Sequence, residues 1–238
     1  MVKNINEIFF VIQARLNSVR IPNKMLSPFA NSNLFEIAIN KVLSSNIIPK
    51  KNFYVSLNEN ELELIKVAKK YNLNIFYRSK ESVQEPITLQ KACEWYTLKD
   101  FKYFININAC NPLIKVVTLD NFINSFLSSK FNGMFAVIEK RTFFYNSNGK
   151  MINKFFGEKK YLSSLETKFV DPTYEAAHTL YAGKMKDIYK GVYMGTFKKL
   201  NDPYFFVIPE EEFLDIDFLW QFKKAEELYI NQQNGSKL

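Results

Sequence analysis

The sequence predicts an α/β protein: a mostly parallel central sheet with helices on both faces, plus a β-rich excursion. Three observations carry that prediction. Five short apolar or aromatic runs alternate with segments of helical periodicity, which implies right-handed βαβ crossovers. The first run, Ile8-Phe9-Phe10-Val11-Ile12, is continuously apolar, as a strand covered on both faces requires. The 238 residues are 47% hydrophobic and 16% aromatic, enough for one large domain with a sizeable core.

The elements follow in order. After the first strand, Leu34, Ile37, Ala38 and Val42 recur at helical spacing and stop near Ser44-Ser45-Asn46. Phe53 to Leu57 predicts a second strand. Leu62, Ile65, Val67 and Ala68 predict a helix ending near Tyr71-Asn72, and Ile75-Phe76-Tyr77 a third strand. A helix is expected over Ile87 to Tyr96, after Pro86, then a fourth strand over Tyr103 to Ile107. Val117 to Leu127 predicts a helix and Phe135 to Ile138 a fifth strand. The rhythm breaks over Arg141 to Thr173, where Asn146-Ser147-Asn148-Gly149 predicts a hairpin turn between polar-aromatic segments. This excursion is expected to be a lid or a dimer arm. Helix-strand order resumes with Leu180-Tyr181 and Phe205 to Ile208, and Phe218, Phe222, Ala225 and Leu228 line a closing amphipathic helix. No internal repeat or linker interrupts residues 1–238.

Composition excludes several classes. Seven Gly, eight Pro and two Cys fit neither collagen-like nor low-complexity nor disulfide-scaffold chains. No apolar run approaches the roughly 20 residues of a membrane span, and the opening residues lack a signal-peptide layout. Cys93 and Cys110 have no metal spacing, so a reducing cytoplasm is expected. The closing Ser236-Lys237-Leu238 matches a peroxisomal address, a three-residue pattern that also arises by chance. The net charge of +8 invites a nucleic-acid reading, but the lysines are scattered as pairs in different elements, so no nucleic-acid partner is expected. A phosphate-rich small ligand profits from the same field.

Ligands of open α/β sheets bind outside the carboxyl ends of the strands. Directly after the first strand comes Gln13-Ala14-Arg15-Leu16-Asn17-Ser18-Val19-Arg20-Ile21-Pro22-Asn23-Lys24-Met25-Leu26. Arginine binds phosphate oxygens as a fork, lysine supplies a compact charge, and Pro22 stiffens the loop. No Gly-rich phosphate loop or dinucleotide fingerprint is present, which argues against ordinary kinase and nicotinamide chemistry. An exposed basic loop without function is the bland alternative.

The pattern Arg15-x-x-Ser18-x-Arg20-x-Pro22-x-Lys24-x-Leu26 resembles the N-terminal signature of cytidylyltransferases that activate acidic sugars. That superfamily includes the synthetases of CMP-3-deoxy-manno-octulosonate and CMP-sialic acid. With Gln13-Ala14 in front, the spore-coat-polysaccharide type is the most similar. Asn106 to Ile114 resembles the family's strand-end segment before Pro-Leu, and Leu214-Asp215-Ile216-Asp217 its Asp-Ile-Asp motif before the last helix. Arg78 falls where the family places an Arg beside the nucleotide. Asp217 alone also reads as a helix N-cap.

The resemblance implies a Rossmann-like sheet in a single nucleotidyltransferase domain, with the arm at 141–173 serving a homodimer. It implies attack of a sugar hydroxyl on the α-phosphorus of CTP and release of pyrophosphate, for surface polysaccharide or glycan synthesis. Arg15, Lys24 and Asp217 take catalytic roles. Ala14, Arg15, Asn17, Ser18, Arg20, Asn23, Lys24, Arg78 and Asn108 bind nucleotide, and Asp215 and Asp217 hold Mg²⁺. Lys140, Arg141 and His178 contact an acidic sugar, although a structural histidine is equally in keeping with His178. The chain also departs from the pattern. Octulosonate enzymes carry an Asp where Ala109-Cys110 stand; sialate enzymes carry an Asn where Met25 stands and an Arg-x-Asn-Gly run where Glu175-Ala176-Ala177-His178 stand. A GT-A-like glycosyltransferase and a non-catalytic nucleotide- or RNA-binding module are the rival readings.

Overall fold

A computed structural model describes residues 3–83, 86–158 and 166–235. Residues 159–165 of the predicted arm and the Ser236-Lys237-Leu238 address lie outside the described residues.

Seven strands form one sheet in the order β3-β2-β1-β4-β6-β5-β7. They are β1 (Ile8–Gln13), β2 (Phe53–Asn58), β3 (Asn74–Arg78), β4 (Tyr103–Ile107), β5 (Met134–Lys140), β6 (Thr173–Lys184) and β7 (Tyr204–Val207). β1 pairs in parallel with β2 and β4, β2 with β3, and β5 with β7. The periodicity of β1 explains its central place. Ile8, Phe10 and Ile12 pack on one face against α1 (Leu34–Leu43), α2 (Leu62–Lys70) and α4 (Val116–Ser128). Phe9 and Val11 point the other way, into a cluster with Trp95, Phe104 and Met185. Two further helices are the short α5 (Met185–Ile188) and the long α6 (Leu219–Gly235). Phe222 and Ala225 of α6 pack with Ile21, Phe29, Leu34 and Ile37, so the last helix clamps the loop that follows β1.

Three expectations need correction. The Ile87–Tyr96 helix is broken into α3 (Leu89–Ala92) and a 3-10 turn, Glu94–Thr97, around Cys93 with φ −117° and ψ 39°. The break turns Trp95 inward, where its indole lies tilted against Phe9 and Phe104 and donates to the Gln13 side chain at 2.7 Å. Second, the strand expected at Leu180-Tyr181 is the middle of the twelve-residue β6, which runs antiparallel between β4 and β5. A strand's alternation is the same in either direction, so the pairing, and not the periodicity, sets this orientation. Third, Phe218 precedes α6 and is half exposed rather than part of its buried face.

The hairpin turn is found where expected. Tyr145 bridges Met151, Gly149 takes φ +75°, and the Asn146 carboxamide accepts from Asn148 and Lys150 N–H groups.

Candidate active site

β1 has its two neighbours, β2 and β4, on opposite sides, which makes its carboxyl end a topological switch point. A cavity of about 520 Å³ opens there, lined by Gln13, Ala14, Arg15, Ser18, Arg20 and Lys24 from β1 and its loop. Arg78 comes from the end of β3, Cys110 from the loop after β4, and Asp217 from the approach to α6. Four chain segments far apart in sequence thus converge on one pocket of ligand size.

The loop is held from below by backbone contacts. Arg78 is buried, and its guanidinium donates to the Ala14 carbonyl at 2.5 Å. Burial lowers the Arg78 pKa from its ordinary value, with Glu61 opposing that shift. Glu61 accepts the Leu16 N–H at 2.7 Å and the Asn58 N–H at 3.0 Å, pinning the loop to the end of β2. Gln13 is clamped twice, accepting from Trp95 and donating to the Ala92 carbonyl at 3.0 Å.

Lys24 and Arg20 reach Asp217 from this rigid base. The Lys24 ammonium is buried, donates to the Ile216 carbonyl at 2.5 Å and lies 4.0 Å from the Asp217 carboxylate. Arg20 pairs with Asp217 at 2.7 Å and stands over the Phe218 ring. Burial and then the neighbouring Asp217 push the Asp215 pKa up, while His178, Lys24 and Arg20 act against that shift. Burial raises the Cys110 thiol pKa too, against the pull of Lys24. A thiol kept protonated is a poor nucleophile, consistent with a packing role.

The helix-cap alternative for Asp217 meets a specific rival. The Gln221 side-chain oxygen accepts both the Asp217 and Phe218 N–H groups at 2.8 Å. The entry to α6 is therefore satisfied by Gln221, and the Asp217 carboxylate is turned to the cations.

Two carboxylates are a fit test for a divalent ion. Among the described residues, no group of three or more His, Cys, Asp or Glu side chains could hold a metal. Asp215 and Asp217 offer hard oxygens on either side of Ile216, the donor set of an ion that takes its remaining ligands from phosphate and water. Burial, and then the Asp217 charge, disfavour the Asp215 carboxylate, and a cation there would offset both.

The other expected residues lie elsewhere. Asn17 and Asn23 are exposed and do not line the cavity; Asn23, at φ +53°, shapes the turn by accepting from Leu26 and Ser27. Asn108 ties β4 to β6, donating to the His178 carbonyl at 2.7 Å and accepting from Cys110 at 2.9 Å. His178 has φ +48°, next to a register shift in the β5–β6 pairing, and its Nδ1 lies 3.1 Å from the Tyr181 hydroxyl. A bulge of this kind re-aims a side chain. Lys140 and Arg141 stand at the tip of the β5–β6 ribbon. Thr173, opposite Lys140, is roughly 20 Å along the strand from Leu180, which pairs the end of β4. Lys140 pairs with Glu210 and with Glu175, and Arg141 with Glu139 at 2.9 Å.

Sequence reasoning missed the residues that hold the site together. Asn111 is buried. It donates to the Thr179 hydroxyl at 2.6 Å and the Glu212 carbonyl at 3.0 Å, and accepts from Leu113 and Leu214. It thereby joins β4, β6 and the segment carrying Asp215 and Asp217. Asn111 lies in the Asn106 to Ile114 segment that resembles the family's strand end, but that resemblance carries no sign of its buried partners.

Residues 9–189 match the model of the cytidylyltransferase family. Over 82 residues the chain is 33% identical to the spore coat polysaccharide biosynthesis protein SpsF of Bacillus subtilis (strain 168). That match takes in 33% of this chain and 34% of the relative, so it spans about a third of the relative's length. Among solved structures, CMP:2-keto-3-deoxy-manno-octonic acid synthetase complexed with CTP superposes with a TM-score of 0.64 at 10% identity, over 95% of this chain and 99% of that one. The 4-diphosphocytidyl-2C-methyl-D-erythritol synthase of Anaerococcus prevotii gives 0.62 at 15% identity, over 95% and 97%. A cytidylyltransferase of Leptospira borgpetersenii gives 0.58 at 17%, over 97% and 95%. At these identities the likeness to solved structures is one of fold. With the family model matched across β1 to β6 and the basic loop, Arg78 and Asp217 gathered at one switch point, the chain belongs to the cytidylyltransferase family.

Proposed function

We propose that this chain transfers CMP from CTP to a hydroxyl of an acidic sugar, releasing pyrophosphate, in the synthesis of a surface polysaccharide or glycan. The observation that carries the reading is the convergence of Arg15, Arg20 and Lys24 on a nucleotide-sized cavity whose far wall is Asp217. Phosphoryl transfer of this kind depends on positioning and on neutralising charge that builds on the phosphate oxygens. Lys24, fixed by the Ile216 carbonyl, presents a buried ammonium to the α-phosphate. Arg15 and Arg20 receive the β- and γ-phosphates, and Arg78 keeps the loop backbone at its place beneath the nucleotide.

Asp215 and Asp217 would hold Mg²⁺, which supplies Lewis-acid stabilisation of phosphate charge. Arg20 then exchanges Asp217 for phosphate oxygens, an exchange of one anion for another at the same guanidinium. His178, aimed by the bulge in β6, meets an acceptor hydroxyl. Lys140 and Arg141 receive an acceptor carboxylate only by exchanging their glutamate partners. The arm at 141–173 closes the acceptor site of a partner in a homodimer.

A pyrophosphate-release panel tests this reading: each nucleoside triphosphate, with and without Mg²⁺, across a set of acidic sugars. Release is expected with CTP, Mg²⁺ and one class of acidic sugar. Equal release with ATP and CTP, or none with any acid, would overturn it.

A further inference from the structure

The opposite end of the sheet carries a second concave site. Tyr103 begins β4, pairing with Ile8 at the start of β1 and with Lys184 at the end of β6. Around it lies a cavity of about 390 Å³, walled by Phe101 and Tyr103 and edged by Lys99, Lys102, Lys184 and Lys186. It sits at the amino edge of the parallel strands, a strand length of roughly 17–20 Å from the nucleotide cavity at their carboxyl edge.

The charge there is unbalanced. Lys102 pairs with Glu7 at 2.5 Å, and no acidic side chain is among the residues lining the cavity. Lys184 is near enough to Lys3 to help burial push the Lys3 pKa down to about 8. A concave surface with one sign of charge and apolar walls concentrates counter-ions. Ammonium groups act as compact point charges that suit phosphate oxygens. Aromatic walls add contact area for a flat apolar body. The cavity falls within the size range of small-molecule sites.

We propose that this cavity binds an organic phosphate, with its phosphate at Lys99 and Lys186 and its apolar body against Phe101 and Tyr103. The site shares an element with the nucleotide cavity. Tyr96 and Thr97 line it, while Trp95 of the same turn holds Gln13. An occupant therefore touches the turn that fixes one wall of the candidate active site.

The probe is phenyl phosphate, titrated by calorimetry into the whole chain, into Lys99→Ala/Lys186→Ala and into Lys24→Ala. Both lysines of the double variant are exposed, and an unchanged melting temperature confirms that it folds. Saturable one-to-one binding is expected in the wild type and in Lys24→Ala, weakened about tenfold or more in the double variant, the cost of losing at least one charge-assisted hydrogen bond. Inorganic phosphate is expected to bind more weakly than phenyl phosphate. Binding that is absent, that survives the double substitution, or that vanishes in Lys24→Ala would overturn the proposal. Equal affinity for inorganic phosphate would overturn its organic part.

Discussion

The basic loop after β1 and the tip of the β5–β6 ribbon are built differently. On the β1–β3 side, cationic residues stand on a loop whose backbone is fastened by Arg78 at Ala14 and Glu61 at Leu16, and whose Lys24 ammonium is held by the Ile216 carbonyl. On the β5–β6 side, Lys140 and Arg141 are paired with glutamates at an exposed ribbon tip. The fastened side loses little entropy when a triphosphate arrives, because its donors are already placed. The ribbon's pairs are exposed and solvated, worth about 0–1 kcal/mol each, and exchange readily. Under the proposed function the fastened side meets the triphosphate and the ribbon tip meets the acceptor.

The largest effect should come from the fastened side. Lys24→Ala is expected to lower turnover by about a hundredfold, the usual loss for one preorganised charge on the reacting oxygens, with CTP affinity changing less. Retention of a tenth of wild-type turnover would remove Lys24 from the α-phosphate.

Asp217→Asn separates the metal reading from the cap. With Gln221 satisfying the helix entry, the melting temperature should hardly move, while the Mg²⁺ needed for half-maximal rate rises about tenfold or more, at least the cost of losing an outer-shell partner. An active Asp217→Asn protein indifferent to Mg²⁺ concentration would assign the residue no metal.

Asn111→Ala probes the joint between the two sides. Loss of its bonds leaves the Glu212 carbonyl and the Leu113 N–H unmatched, for about 1–3 kcal/mol of stability. The expected signature is a lower denaturation midpoint with a raised Mg²⁺ requirement, since the aspartate segment loses its anchor. Unchanged stability would show that Asn111 does not hold the two sides together.

Lys140→Ala is expected to be the mildest, changing stability by less than about 1 kcal/mol and leaving the KM for CTP unmoved. A rise in the acceptor KM alone would place the acceptor's carboxylate at the ribbon tip. A fall in kcat for every acceptor would break the contrast between the two sides.

Much of this was readable from the sequence, because the signals are local. The apolar run of β1 declares a strand covered on both faces, and the Arg15 to Lys24 spacing lies within one loop. Phe222 and Ala225, at helical spacing, were legible as the buried face of the last helix. Other features joined positions that no window spans. Gln13 meets Trp95 82 residues on, Asn111 meets the Glu212 carbonyl 101 residues on, and Arg20 meets Asp217 across 197.

By itself, then, the sequence determined the layered sheet, the position of a basic loop at a strand end, and the residue types able to face a triphosphate. Hydrophobic period and loop chemistry are properties of neighbours along the chain. Only the tertiary structure decided the direction of β6, the break of the helix at Cys93, and the fastening of Lys24 and Arg20 opposite Asp217. A strand's alternation is the same in either direction, and a buried donor's partner is chosen by what the packed core brings within about 3 Å of it.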